Sequence, residues 1–163
     1  MTPLFLLKDL CKELKLLFEN SIEKTPEVDP WEMTVYKKMN VFEHSLPIRQ
    51  QDQEDDPYPF IVASMSTGKG GAAGDTQEIV TRMMIGIYDD NESIKGHEGV
   101  LNVINKIYAR FATNPILADC HIAKIDDEDK FNWALQEDDT HPYYFGAVEM
   151  KFITSGMRRE DKF

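Results

Sequence analysis

Apolar residues at Leu4, Leu7, Cys11, Leu14 and Phe18 recur at alternating spacings of three and four, with Leu10 and Leu17 widening the stripe. Lys8, Lys12, Lys15 and Glu19 face away from it. This period predicts an amphipathic helix over residues 2–22. Thr2 and Pro3 supply a capping residue and a proline at the first helical position. A polar, proline-bearing connection follows, and Trp31 to Lys37 and Asn40 to Leu46 then alternate apolar and polar positions in two short runs, which predicts a hairpin or a bent strand. Residues 47–57 are polar and acidic between two prolines and read as a loop.

From Tyr58 the chain enters a strand whose prolines stand at its start. Four glycines and two alanines between Ser66 and Asp75 mark a flexible hairpin tip. Gln77 to Tyr88 is the next strand, apolar on both faces and so expected inside a sheet. A second helix of about 16 residues follows the acidic turn Asp89 to Glu92; Val100, Ile104, Ile107, Tyr108 and Phe111 form its buried stripe, and Asn114-Pro115 ends it. Leu117 to Ile125, Phe131 to Gln136 and Tyr143 to Thr154 are the last strands. Acidic turns between them predict an antiparallel meander. The expectation is a single α+β domain over residues 1–163: a four- to five-stranded, mainly antiparallel sheet flanked by an N-terminal helix and a central helix, with a glycine-rich loop at 66–75.

Charge narrows the ligands. The 163 residues carry 18 basic and 29 acidic side chains, a net charge of -11, which argues against binding a phosphate backbone through clustered Lys and Arg. About half of the acids fall in four runs, at 52–56, 89–92, 126–129 and 137–139, where the apolar pattern breaks; they read as solvated loops. The longest apolar run near the start, Leu4 to Leu7, is too short for a signal-peptide core. No stretch reaches the roughly 20 apolar residues of a membrane span. Cys11 and Cys120 lack Cys-x-x-Cys spacing and read as buried free thiols, with synthesis in the cytosol.

Candidate chemistry is sparse. The single Lys69 in the glycine run lacks the P-loop pattern: Ala63 stands where the first glycine should, and Gly70 where Ser or Thr should follow. His44, His97, His121 and His141 are scattered, and none has the spacing of a helical metal pair. His121 follows Cys120 directly, and neighbours on a strand point to opposite faces, so the two are not expected to form a nucleophile and base. Glu149-Met150-Lys151 matches the acid-x-Lys element of a metal-dependent nuclease, with Asp138 and Asp139 as upstream acids; an alternating charge pair on a solvated strand explains the same residues. Asp89, Asp90 and Glu92 read as acids at a helix start rather than a cation loop. No catalytic residue, cofactor or metal is expected, and an enzyme is not.

One signature stands above this background. Pro-Tyr-Pro-Phe-Ile-Val at 57–62, Gly-Ile-Tyr-Asp-Asp at 86–90 leading into Gly-His-Glu-Gly-Val-Leu-Asn-Val-Ile at 96–104, Trp133 in its strand, Pro-Tyr-Tyr-Phe-Gly at 142–146 and the tail Arg158-Arg159-Glu160-Asp161 together resemble the tail-terminator (tail-completion) proteins of long-tailed bacteriophages. The resemblance covers about two-thirds of the chain. It implies a structural virion protein, located at the head–tail junction, whose copies close as a hexameric ring on the tail, end tail polymerisation and provide the surface where the head docks. Partners would be further copies of the chain, the major tail tube protein and the head connector or neck protein. DNA would pass through the ring without specific binding, which an acidic lumen suits, and no membrane is involved. A closed ring joins one patch of each subunit to a different patch of the next; Lys69, Arg82, Arg158 and Arg159, meeting acidic turns of a neighbour, are the candidate subunit or tube interface. The alternatives are a neck or head-closure protein and, in a different class, an acidic decoy that mimics DNA.

Overall fold

The computed structural model describes residues 3–22, 39–48, 57–70, 76–89, 96–125 and 131–155. The expected run at Trp31 to Lys37 and the acidic runs at 52–56 and 126–129 lie outside them. Among these described residues there are two helices, α1 (Pro3–Ile22) and α2 (Gly96–Thr113), and seven strands. The strands are β1 (Asn40–Glu43), β2 (Phe60–Lys69), β3 (Gln77–Tyr88), β4 (Ile116–Leu117), β5 (His121–Lys124), β6 (Phe131–Leu135) and β7 (Tyr143–Thr154). They run in the order β1-β2-β3-β7-β5-β4, with β6 also on β7. β1 and β2 pair in parallel and every other pair is antiparallel. The class is therefore α+β as expected, with more strands than the expected four or five.

Both helices cover one face of the sheet. Ile79, Met83, Ile85 and Ile87 of β3 stand opposite Phe152, Val148, Gly146 and Tyr144 of β7, and all are buried. Against them α1 places Leu6, Leu7, Leu10, Cys11, Leu14 and Phe18. Leu6, four residues before Leu10, heads this stripe, whereas Leu4 at its margin in the first turn is half exposed. α2 adds Val100, Val103, Ile104, Ile107 and Phe111. Tyr108, expected in the stripe, is instead exposed at the margin of α2, its ring 5.1 Å from that of Phe131. The helix stops at Pro115, whose ring nitrogen has no proton to continue the ladder; Arg110 holds the Asn114 carbonyl at 2.6 Å.

Three strand boundaries differ from the expected ones. β2 continues in the ladder to Lys69, opposite Glu78, with a register shift between Met65 and Thr67. The glycine-rich loop is thus shorter than 66–75, and residues 71–75 lie outside the described ones. Leu117 to Ile125 is two short strands joined by a type I′ turn: Ala118 and Asp119 have φ of 49° and 60°, and the Cys120 N–H donates to the Leu117 carbonyl at 3.3 Å. Finally, the last strands do not form a meander. β5 pairs with Lys151–Thr154 and β6 with Gly146–Met150, so the two lie end to end along one edge of β7. Lys124 and Phe131 face consecutive residues of β7, so β5 and β6 are not the two arms of a hairpin.

Candidate functional site

Four segments separated in the sequence, 57–62, 86–89, 96–104 and 142–146, meet at one end of the sheet. Strand register brings them together: Phe60 pairs with Gly86, Gly86 with Phe145, and Tyr88 with Tyr143. On the face without helices the Tyr58 ring lies 5.0 Å from Phe60, 5.0 Å from Tyr143 and 6.2 Å from Phe145. Tyr88 and Tyr143 are 5.3 Å apart edge to face, a geometry that the ring quadrupole favours. Gly86 is required here, because a methyl group on it would come within 2.4 Å of the Phe60 ring. Tyr88 and Tyr143 remain 39% and 40% exposed and give this end an aromatic surface.

Tyr144 points the other way, as alternation along a strand dictates, and is buried. Its ring meets His97 of α2 edge to face at 4.9 Å, and its hydroxyl lies 2.9 Å from His141 Nδ1. Glu137, Asp138, Asp139, Thr140, His97 and His141 surround it in a cleft of about 490 Å³. Burial pushes the Tyr144 hydroxyl above its ordinary pKa, and the carboxylates of Asp89 and Asp139 add to the rise. The loop between β6 and β7 is ordered by its own bonds. The His141 N–H donates to Asp139 Oδ1 at 3.2 Å, the Tyr143 N–H to the Thr140 carbonyl at 2.9 Å, and the Asp89 N–H to the Pro142 carbonyl at 2.8 Å. The three exposed carboxylates on the rim suit a cationic group such as a Lys or Arg side chain.

The basic residues expected at an interface lie elsewhere. Lys69 is exposed at the end of β2. Arg82 is on the helix-free face of β3, where it pairs with Glu149 of β7 at 3.1 Å with both side chains about half exposed. Six residues of β3 separate it from Tyr88, roughly 20 Å at the ~3.3 Å rise of a strand. Arg158 and Arg159 lie outside the described residues. Lys151 reaches Glu78 at 3.5 Å, so the Glu149 and Lys151 of the nuclease-like element are both engaged in cross-strand pairs. Asp138 and Asp139 are at the opposite end of β7 from them.

The alternation expected to separate the Cys120 and His121 side chains does not apply. Cys120 closes the turn before β5 and is not part of a strand, so the alternation rule does not separate the two side chains. The Cys120 thiol, a His121 ring nitrogen and an Asp9 carboxylate oxygen lie within 4.8 Å of one another. His121 is fully buried and its Nε2 is 3.0 Å from Asp9 Oδ2. Asp9 precedes His121 by 112 residues, a separation across which no spacing rule operates. The aromatic cluster carries a fainter signal, since Tyr58, Tyr88 and Tyr143 each stand at a strand end, but only the register shows that these ends coincide.

No family model matches the chain, and no curated protein does. Among solved structures it is similar to one with 12% sequence identity and a TM-score of 0.46, over 88% of this chain and 96% of that one.

Proposed function

We propose that this protein is a structural component of a bacteriophage virion, which caps the tail tube as a ring of six copies, ends tail polymerisation and offers the surface where the filled head docks. The observation that carries the reading is the convergence at one end of the sheet. Four of the segments that resemble tail terminators come together there as an aromatic surface beside an acidic cleft, and an exposed aromatic surface supports a role in contact with other chains. Exposed aromatic side chains supply large contact area at small entropic cost, as an interface core requires. The acids also favour assembly over DNA mimicry. Asp9, Glu13, Glu78 and Glu149 are each engaged with His121, Arg110, Lys151 and Arg82 of the same chain, whereas a mimic needs its carboxylates free and in rows.

The test is electron microscopy of lysates from a phage that lacks this gene. Overlong or irregular tails, lying apart from filled heads, are the expected outcome. Tails of normal length beside leaking heads would move the protein to the head side of the neck. Intact infectious particles would reject a virion role.

A further inference from the structure

We propose that Asp9, Cys120 and His121 form a binding site for a divalent metal ion of the zinc class, a property independent of the ring reading. The site lies at the seam between α1 and the β4–β5 hairpin. Three donors from two distant parts of the chain meet there, a carboxylate oxygen, a thiol sulfur and an imidazole nitrogen, all within 4.8 Å of one another. Sulfur, nitrogen and oxygen donors together suit Zn²⁺ or its spectroscopic substitute Co²⁺, and not Mg²⁺ or Ca²⁺, which take oxygen.

The surroundings leave room for an ion. The three donors come from two segments 111 residues or more apart in the chain, so the fold itself brings them together. His121 directs Nε2 to Asp9, and its Nδ1 is buried with no hydrogen-bond partner. Tetrahedral Zn²⁺, with bonds of about 2.0–2.3 Å, holds its donors roughly 3.3–3.8 Å apart. Asp9 and His121, at 3.0 Å, have to open by about 0.3 Å, and the thiol, within 4.8 Å of both, has about 1 Å to close. Rotation about χ1 provides that movement, because Cys120 is only partly buried in its turn. Asp9 is 30% exposed, which leaves a route for the ion and a fourth position for water. Binding displaces the thiol proton, so affinity falls as pH falls.

The experiment is titration of the full chain with Co²⁺, followed by absorption spectroscopy. A thiolate-to-cobalt charge-transfer band that saturates at one ion per chain and disappears on addition of Zn²⁺ is the expected result. Cys120→Ser should abolish the band and Cys11→Ser should keep it. Asp9→Asn should weaken binding at least about tenfold, a change in the range found when groups around a metal are removed, with circular dichroism confirming the fold. His121→Gln should abolish binding; because that side chain is fully buried, Asp9→Asn decides the matter if the His121 variant does not fold. No band at millimolar Co²⁺, a band that survives Cys120→Ser, or one that Asp9→Asn leaves unchanged would each overturn the site.

Discussion

Cys11 sits on the buried stripe of α1, and burial pushes its thiol up to about 11 from the ordinary 9.0, with Glu43 adding to the rise and Lys15 opposing it. The folded chain keeps this proton over a range where the unfolded chain releases it. The contribution to stability is therefore complete below about pH 9 and is lost as pH rises to about 11. A shift of this size corresponds to roughly 3 kcal/mol. Urea denaturation at a series of alkaline pH values should show a falling midpoint across that window, and Cys11→Ala should flatten the fall. An equal fall in the variant would assign the limb to other groups. The same burial keeps Cys11 from alkylation until the chain unfolds, whereas Cys120 is partly accessible.

At the scale of elements, one guanidinium ties three chain segments together. Arg110 bonds to Glu13 of α1, to the Asn114 carbonyl at the end of α2 at 2.6 Å, and to the Ile116 carbonyl of β4 at 3.3 Å. Both members of the ion pair are mostly buried, with side chains 20% and 25% exposed. Arg110→Ala should destabilise the chain by about 1.5–3 kcal/mol, the range for hydrogen bonds to charged groups, seen as a lower denaturation midpoint. Lys, a point charge without the planar fork, should recover only part of it. A loss below about 0.5 kcal/mol, the level of an ordinary surface substitution, would mean that water replaces these bonds. The elements themselves were legible to different degrees. β3 and β7 end where the pattern predicts, because twelve alternating residues leave one register possible. β4 and β5 were hidden in a single run, since Ala118 at a positive φ is a residue that gives no turn signal. The end-to-end pairing of β5 and β6 with β7 depends on a partner that local hairpin cues do not identify. The same limit applies to the candidate sites: Glu137 to Asp139 are visible as a charged run, but the approach of His97 to Tyr144 and of Asp9 to His121 comes from tertiary packing alone.

The whole molecule is a two-layer structure with helices on one side of a mainly antiparallel sheet. Among the described residues its other side bears charge pairs at one end and aromatic rings at the other. The exposed pairs Arg82–Glu149 and Lys151–Glu78 contribute little to monomer stability, as solvated pairs generally do. If this face and the basic tail join subunits, Tyr143→Glu and the double swap of Arg158 and Arg159 to Glu should prevent ring assembly and complementation of a gene-deleted phage. Circular dichroism of the monomer should stay unchanged. Rings that still form with both variants would remove these residues from the interface. The position of β7 has a consequence for biogenesis. It follows every other described element in the chain, yet β3, β5 and β6 all pair with it. Until Tyr143–Thr154 emerges, the β1-β2-β3 sheet, the β4-β5 hairpin and β6 are therefore unjoined and have open edges, and such edges are prone to pair with other chains. A product terminated before Tyr143 lacks the strand on which β3, β5 and β6 all pair, so its sheet stays in pieces with open edges.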